Sequence, residues 1–510
     1  MQRTRVLFIL YCMIIAYLLI NTGIISDDYD AISKLKYKQI KNIFCPDYYF
    51  ISSPAEYFTH YIWYRFFDFN NLLLINILKI AYIILCFYSV SKFFSIFLDV
   101  YRAYLASFLF IFFPSHDSTV FWFMGQPLAL SLALYLFSFY LLHRDKIFIS
   151  LFLALAASFV SYGSTPPAIA LSALFMINKK YRKALIIVIP NILYIIYFIL
   201  IDFITGLSNP RITEKLSIII FIKQFVFQIL TFVDAIIGPS MWLKFYYSFS
   251  QLHIYSVVIG AVFILILFLI YKKMAVEHNG CNLSLVASLI ILLFCSFAMF
   301  AVTGRYPQLA FGLGNRTTIY GSLLVAYLLS LFPFSKIAAV VIFAAFFLTI
   351  VGISDHWKDW GMHQQKVIAD ISDNSDLRCL DDTKIIYVSG NQFSKYGPVS
   401  HIEFFSEDWV VGPVFKLALN RDIVARTLNK RHKYTNGYLF DAKYNQKVKI
   451  DNPVNIYDSE KNVFLRIDTS EINKYIYSLP SDNRHWLQVF DFKLIKLIAI
   501  KLMPRLKYAL

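Results

Sequence analysis

Three carboxylates in four residues, Asp27, Asp28 and Asp30, follow an apolar run at 6–25 that is long enough to cross a bilayer. An ionised aspartate costs about 3 kcal/mol at the centre of the hydrocarbon, so this cluster belongs at or just beyond the membrane surface. A carboxylate fixed at the end of a spanning helix is better placed than one on a free loop. It could take a proton from a hydroxyl on a substrate arriving through the lipid. On their own, the aspartates also read as polar residues that simply end the apolar segment.

A second stretch, 304–318, holds Arg305, Arg316, Asn315 and three glycines, with a helix expected to begin near Asn315. Guanidinium forks, backbone amides and helix N-termini all suit phosphate oxygens. The competing reading is a glycine-rich turn whose arginines reach toward lipid headgroups. His116-Asp117, Tyr162 beside Ser164-Thr165, and Arg211 beside Pro210 are weaker candidates for lining a substrate site. The chain contains no GxxxxGK[ST] loop, no GxSxG elbow, no HExxH and no CxxC pair. Nothing therefore points to ATP-driven transport or zinc hydrolysis. The six cysteines (Cys12, Cys45, Cys86, Cys281, Cys295, Cys379) show no metal-ligand spacing, and only Cys45 and Cys379 fall outside apolar stretches.

The elements that must position these residues are read from composition. With 58% hydrophobic residues over 510 positions and a mean hydropathy of +0.58, the chain is too apolar for a soluble protein. It reads as an α-helical polytopic membrane protein. The 50 Phe and 35 Tyr suit aromatic belts and a groove lined by rings. The net charge of +16 is explained by basic cytoplasmic loops and anionic lipid, and no nucleic-acid partner is read from it.

Arg3 and Arg5 place the N-terminus in the cytoplasm, and the group Lys179, Lys180, Arg182, Lys183 marks a later cytoplasmic turn. About eleven spans follow, at 6–25, 72–94, 104–113, 120–142, 147–160, 168–177, 184–201, 253–271, 283–302, 317–331 and 337–353. The first external loop, 26–70, contains a basic amphipathic stretch at 31–43, expected on the membrane surface. A helix is expected to start after Ser53-Pro54 with Glu56 completing a capping box, and to run on toward 69. The stretch 218–237 is apolar but carries Lys223, Gln224, Gln228 and Asp234. Were it to span, Lys272 and Lys273 would fall outside, so it is read as re-entrant or interfacial within an external region 202–251.

Composition changes at 354, and 354–490 reads as an extracytoplasmic α+β domain, with a helix at 358–372 and strands at 384–388 and 463–467. A basic amphipathic membrane-surface helix closes the chain at 491–510.

This arrangement resembles the GT-C class of integral-membrane glycosyltransferases. Those enzymes share a first span ending in an acidic motif, here Ser26-Asp27-Asp28-Tyr29, then a multi-span core and often an outer C-terminal domain. Arg305 and Asn315-Arg316 are similar to the loop that meets the phosphate of a lipid-linked donor in several members. The resemblance implies an inverting transfer from a polyprenyl-phosphate sugar to a glycan or lipid-linked acceptor. Asp28 would be the general base and Asp27 an orienting residue. Bacterial members that decorate O-antigen and other surface glycans are the nearest in plan. This implies an inner-membrane location, with the active site and C-terminal domain on the periplasmic face. Members differ in their need for metal, and the motif leaves open whether Asp27 and Asp28 bind a divalent ion. Two other readings stand beside this one: a lipid-linked glycan polymerase or ligase, for which His116 is the only modest catalytic histidine, and a glycolipid flippase.

Overall fold

The computed structural model describes residues 2–37, 50–51, 53–67, 72–205, 217–272, 280–304, 306–331, 336–481 and 485–502. Arg211 and Arg305 lie outside them. The chain divides into two compact units. One comprises Met1–Thr22, Asn42–Ala310 and Gly314–Trp357; the other comprises Gly23–Lys41, Phe311–Leu313 and Lys358–Leu510.

The first unit is helical. Among the described residues, six helices are long and apolar enough to cross a bilayer, as a membrane-embedded protein requires. They are Leu73–Phe94, Phe123–His143, Tyr181–Ile204, Ile218–Ser250, Leu283–Thr303 and Val341–Asp373. Five of them coincide with spans read from hydropathy. The sixth, Ile218–Ser250, qualifies by length and composition although the charge pattern kept it out of the bilayer. It consists of two helices, Ile218–Ile236 and Pro239–Ser250, interrupted at Gly238. Other apolar helices are shorter: Thr4–Leu19, Val100–Ile111, Ile147–Val160, Tyr162–Ile177 and Ile254–Ile270.

Hydroxyls join neighbouring helices where lipid offers no hydrophobic drive. Between Gln126–His143 and Ile147–Val160, Ser138 Oγ meets Ser150 Oγ at 2.8 Å and Ser131 Oγ donates to the Ala157 carbonyl at 2.7 Å. Close approach is also set by glycine. A Cβ at Gly352 would collide with the backbone carbonyl of Ser248, so the helix bearing Gly352 lies directly against Pro239–Ser250.

The helix expected after Ser53 is shorter than the pattern suggested. An α-helix spans Pro54–Thr59, His60 breaks it, and a 3-10 turn covers Tyr61–Phe66. Ser53 stands at the N-cap with φ −147° and ψ 72°, but its side chain makes no capping bond. Proline at the first helical position holds that start.

The second unit begins with a helix at Asp27–Tyr37, four residues ahead of the expected amphipathic stretch. Its first turn carries Asp27, Asp28 and Asp30, where the positive end of the helix dipole favours carboxylates. The expectation that this stretch lies on the membrane surface is corrected. Ile32 and Leu35 are buried, and the helix packs against another at Asp408–Leu419. Positions 38–43 of the expected stretch lie outside the described residues.

The central sheet takes the order β4–β1–β8–β9, with β1 Ile385–Ser389, β4 Val424–Thr427, β8 Val454–Asp458 and β9 Val463–Ile467. β1 pairs parallel with both β4 and β8, and β9 runs antiparallel to β8 at the edge. β1 and β8 are buried almost throughout, as central strands covered on both faces should be. On one side Tyr387, Ile456, Ile472 and Ile476 form a core; Asp408–Leu419 supplies buried Val410, Val414 and Phe415. A hairpin, β2 Phe393–Tyr396 with β3 Val399–Glu403, and a meander of β5 His432–Thr435, β6 Tyr438–Asp441 and β7 Gln446–Lys449 complete the strands among the described residues.

The span expected at 337–353 and the helix expected at 358–372 form a single helix, Lys336–Asp373. A final helix, Lys493–Leu502, exposes Leu494, Ile495, Leu497 and Ile498.

Candidate functional site

The acidic motif sits on a tight turn. Ser26 adopts a left-handed conformation (φ 49°), and so does Gly23 (φ 70°), where a Cβ would press within 3.2 Å of the Gly361 backbone. The helix then starts at Asp27. Asp28 is fully buried, and its Oδ2 accepts the Ile25 N–H at 2.8 Å, so this side chain closes the turn on itself. Tyr29, also buried, has its phenol held protonated well above the usual range by burial and by the neighbouring Asp28 charge. Ser26 Oγ donates to Glu403 Oε1 at 3.0 Å, and Ser406 Oγ donates to Glu403 Oε2 at 3.0 Å.

Asp27 differs from Asp28. It is partly exposed, and one oxygen, Oδ1, accepts the Trp409 indole N–H at 3.1 Å. Among the described residues, its Oδ2 has no partner. Trp409 packs edge-to-face on Tyr444 with 5.9 Å between ring centroids. Behind them lies a charge network. Buried Glu407 accepts from Arg431 at 2.9 Å, from Tyr444 at 3.1 Å and from Lys443. Asp441 accepts from Arg431 Nε at 3.0 Å. Burial pushes the Asp441 carboxyl up, but its hydrogen bond to His432 and the Arg431 charge outweigh that and hold it well below the usual carboxylate range.

In the helical unit, His116, Asp117, Asn315 and Arg316 are positioned by the turn Pro114–His116 and the 3-10 stretch Leu313–Thr318. Asp117 is 2% exposed and Lys244 0% exposed. Lys244 Nζ meets Asp117 Oδ1 at 2.8 Å and the Ala310 carbonyl at 2.6 Å. The indole of Trp357 donates to Asp117 Oδ2 at 2.9 Å, and Asn315 Nδ2 also donates to Oδ1. Asn315 Oδ1 in turn accepts from Ser118. Asp117 and Asn315 are thus one polar knot, saturated by protein groups.

His116 Nδ1 pairs with Thr119 Oγ1 at 2.9 Å, while Nε2 is buried without a partner. Burial pulls this imidazole down to about 4, so it is neutral near pH 7. Tyr162 begins the turn Tyr162–Ser164, whose Gly163 carbonyl accepts the Tyr320 hydroxyl at 2.5 Å.

Arg316 follows Asn315 but faces other groups. Its guanidinium lies 5.1 Å from the Trp122 ring and 6.0 Å from the Tyr306 ring, with Nε buried and unbonded. Among the described residues, it meets no carboxylate. A cation lodged between aromatic faces and lacking a counter-ion is a ready receptor for an anion.

Sequence reasoning passed over Lys244, Lys79, Trp357 and Trp409. Lys79, fully buried within Leu73–Phe94, donates to Thr22 Oγ1 at 2.7 Å. A lysine inside an apolar helix is itself a signal, and Lys79 and Lys244 both carried it. Trp409 carried none. Among the described residues, no group of three or more His, Cys, Asp or Glu side chains is arranged to hold a metal ion. The chain matches no protein-family model, no curated protein and no solved structure.

Proposed function

We propose that this protein is an integral-membrane glycosyltransferase that moves a sugar from a polyprenyl-phosphate donor to a hydroxyl of a glycan or lipid-linked acceptor. The observation that carries the reading is Asp27. It is a carboxylate at the head of a helix, anchored through one oxygen to an indole N–H, with the other oxygen uncommitted. That is the arrangement a general base needs: oriented by one anchor and open to a hydroxyl. Asp28, whole in its burial and bonded to Ile25, suits the role of shaping the turn.

In the reaction, Asp27 Oδ2 takes the acceptor hydroxyl proton as that oxygen bonds to the anomeric carbon. The bond from that carbon to the prenyl-phosphate oxygen breaks, and the phosphate leaves with the electron pair. Departure of the phosphate needs a cation to offset its growing charge, and in the helical unit Arg316 has the chemistry of a phosphate receptor, which is tested separately below. A single displacement of this kind inverts the anomeric configuration. The sequence resemblance supports the same donor class and a bacterial inner membrane, with the chemistry on the periplasmic face. Among the described residues no ligating group stands ready to share a metal ion with Asp27, and no step is routed through one.

The test is glycan analysis of host cells expressing wild type, Asp27→Asn or Arg316→Ala at matched membrane levels. Loss of one defined sugar in both variants is the expected result. An unchanged glycan with Asp27→Asn would remove the base from the proposal, and NMR of the product showing retention would remove the single displacement.

A further inference from the structure

The residue that anchors Asp27 is also the largest exposed ring beside it. Trp409 is 43% exposed and Tyr444 39% exposed, although both are bonded to neighbouring groups. The Trp409 indole N–H is fixed by Asp27, and its ring is braced against Tyr444. The Tyr444 hydroxyl donates to Glu407, and its ring carries the Lys443 ammonium at 4.9 Å and the Arg431 guanidinium at 5.4 Å. An exposed indole is thus held by two contacts next to a carboxylate oxygen that has no partner among the described residues.

A pyranose has matching chemistry. One face of the ring presents C–H groups, which are attracted to the negative face of an aromatic system, while its edge presents hydroxyls that donate to a carboxylate. A phosphate or other anion would be repelled by Asp27. A purely apolar ligand would leave the open carboxylate oxygen desolvated.

We infer that Trp409, supported by Tyr444, is the stacking platform for a pyranose ring of the acceptor glycan, with Asp27 receiving one of that ring's hydroxyls. The C-terminal α+β unit is then the acceptor-recognition unit, and Trp409 both holds the base and seats the sugar. The assignment of the bound sugar as acceptor rests on the glycosyltransferase reading; the sugar site itself does not.

The experiment uses the full-length protein in nanodiscs and, as the probe, oligosaccharides released by mild acid from the surface glycan of the host. Saturation-transfer NMR of the wild type should place contact on ring C–H protons. Trp409→Ala should weaken binding by at least about ten-fold, equivalent to about 1.4 kcal/mol. Trp409→Leu, which keeps apolar bulk on the helix but has no π face, should do the same, and it serves if the alanine variant does not fold. Trp409→Phe should retain most of the binding. Absence of saturation transfer in the wild type, or equal binding by wild type and Trp409→Leu, overturns the platform. The two readings fail separately. Glycan binding that depends on Trp409, together with an unchanged host glycan in Asp27→Asn, would keep the sugar site and discard the transferase.

Discussion

Two aspartates, one in each unit, show opposite uses of the same side chain. Asp117 is sealed away from water and saturated: Lys244 and Asn315 on one oxygen, Trp357 on the other. Asp27 also takes an indole N–H, yet keeps its second oxygen open. The difference is one of remaining capacity. A buried carboxylate with both oxygens engaged can organise its neighbours but is closed to a substrate. One with a single anchor is held in place and remains available.

The comparison is broken most severely by removing Lys244. Lys244→Met strands the Asp117 charge in an apolar interior and should cost about 3–5 kcal/mol, seen as loss of monodisperse protein after extraction from the membrane. The double variant Lys244→Met/Asp117→Leu should recover part of that loss, because the uncompensated charge is gone. If the double variant is no better than the single one, the knot does more than neutralise itself. In the other unit, Arg431→Ala removes two contacts from buried Glu407 and one from Asp441, and should cost about 3 kcal/mol in thermal unfolding.

A smaller effect is set by pH. Burial lowers His116 from the ordinary 6.5 to about 4 and His60 to about 3. Between the ordinary value and these, the unfolded chain binds protons that the folded chain does not. Stability therefore falls as pH falls below about 6.5, by at most about 1.4 kcal/mol per pH unit for each histidine. His116→Gln should flatten that slope in a melting series. Asp441 adds a second loss at lower pH, as its depressed carboxyl is protonated. The smallest effect on stability belongs to Asp27→Asn, under about 0.5 kcal/mol, because a partly exposed group with one neutral partner is replaced by its isostere. If Asp27→Asn instead unfolds the protein, Asp27 belongs with Asp117 as a structural residue.

Much of the helical unit was legible because a spanning helix must be continuously apolar, and such runs are visible in any window of that length. Strands β1 and β9 were also readable as short apolar runs. β4 to β7 were not. They are four residues each, with charged or polar residues such as Arg426, Lys433 and Lys447 that blur any apolar run; β4 pairs with the distant β1, while β5 to β7 pair locally as a meander. The helix Asp408–Leu419 was hidden by Gly412 and Pro413, which read as a turn; tertiary packing of Val410, Val414 and Phe415 overrides that preference. At the candidate site, the acidic motif and Arg316 were visible from type and place alone. The Trp409 contact was not, since 382 residues separate it from Asp27 and nothing local marks it.

Gly352 extends the logic of the Asp117 knot to a residue with no side chain. It lies on the helix that carries Trp357, against the helix that carries Lys244, and a Cβ there would strike the Ser248 carbonyl. Trp357 and Lys244, one on each of these helices, both bond Asp117. The position therefore has almost no mutational freedom: the conservative step to alanine would wedge the two helices apart and pull two hydrogen bonds off a carboxylate that Gly352 never touches. Such a residue would look permissive in any inventory of functional side chains, yet tolerate less variation than most of them.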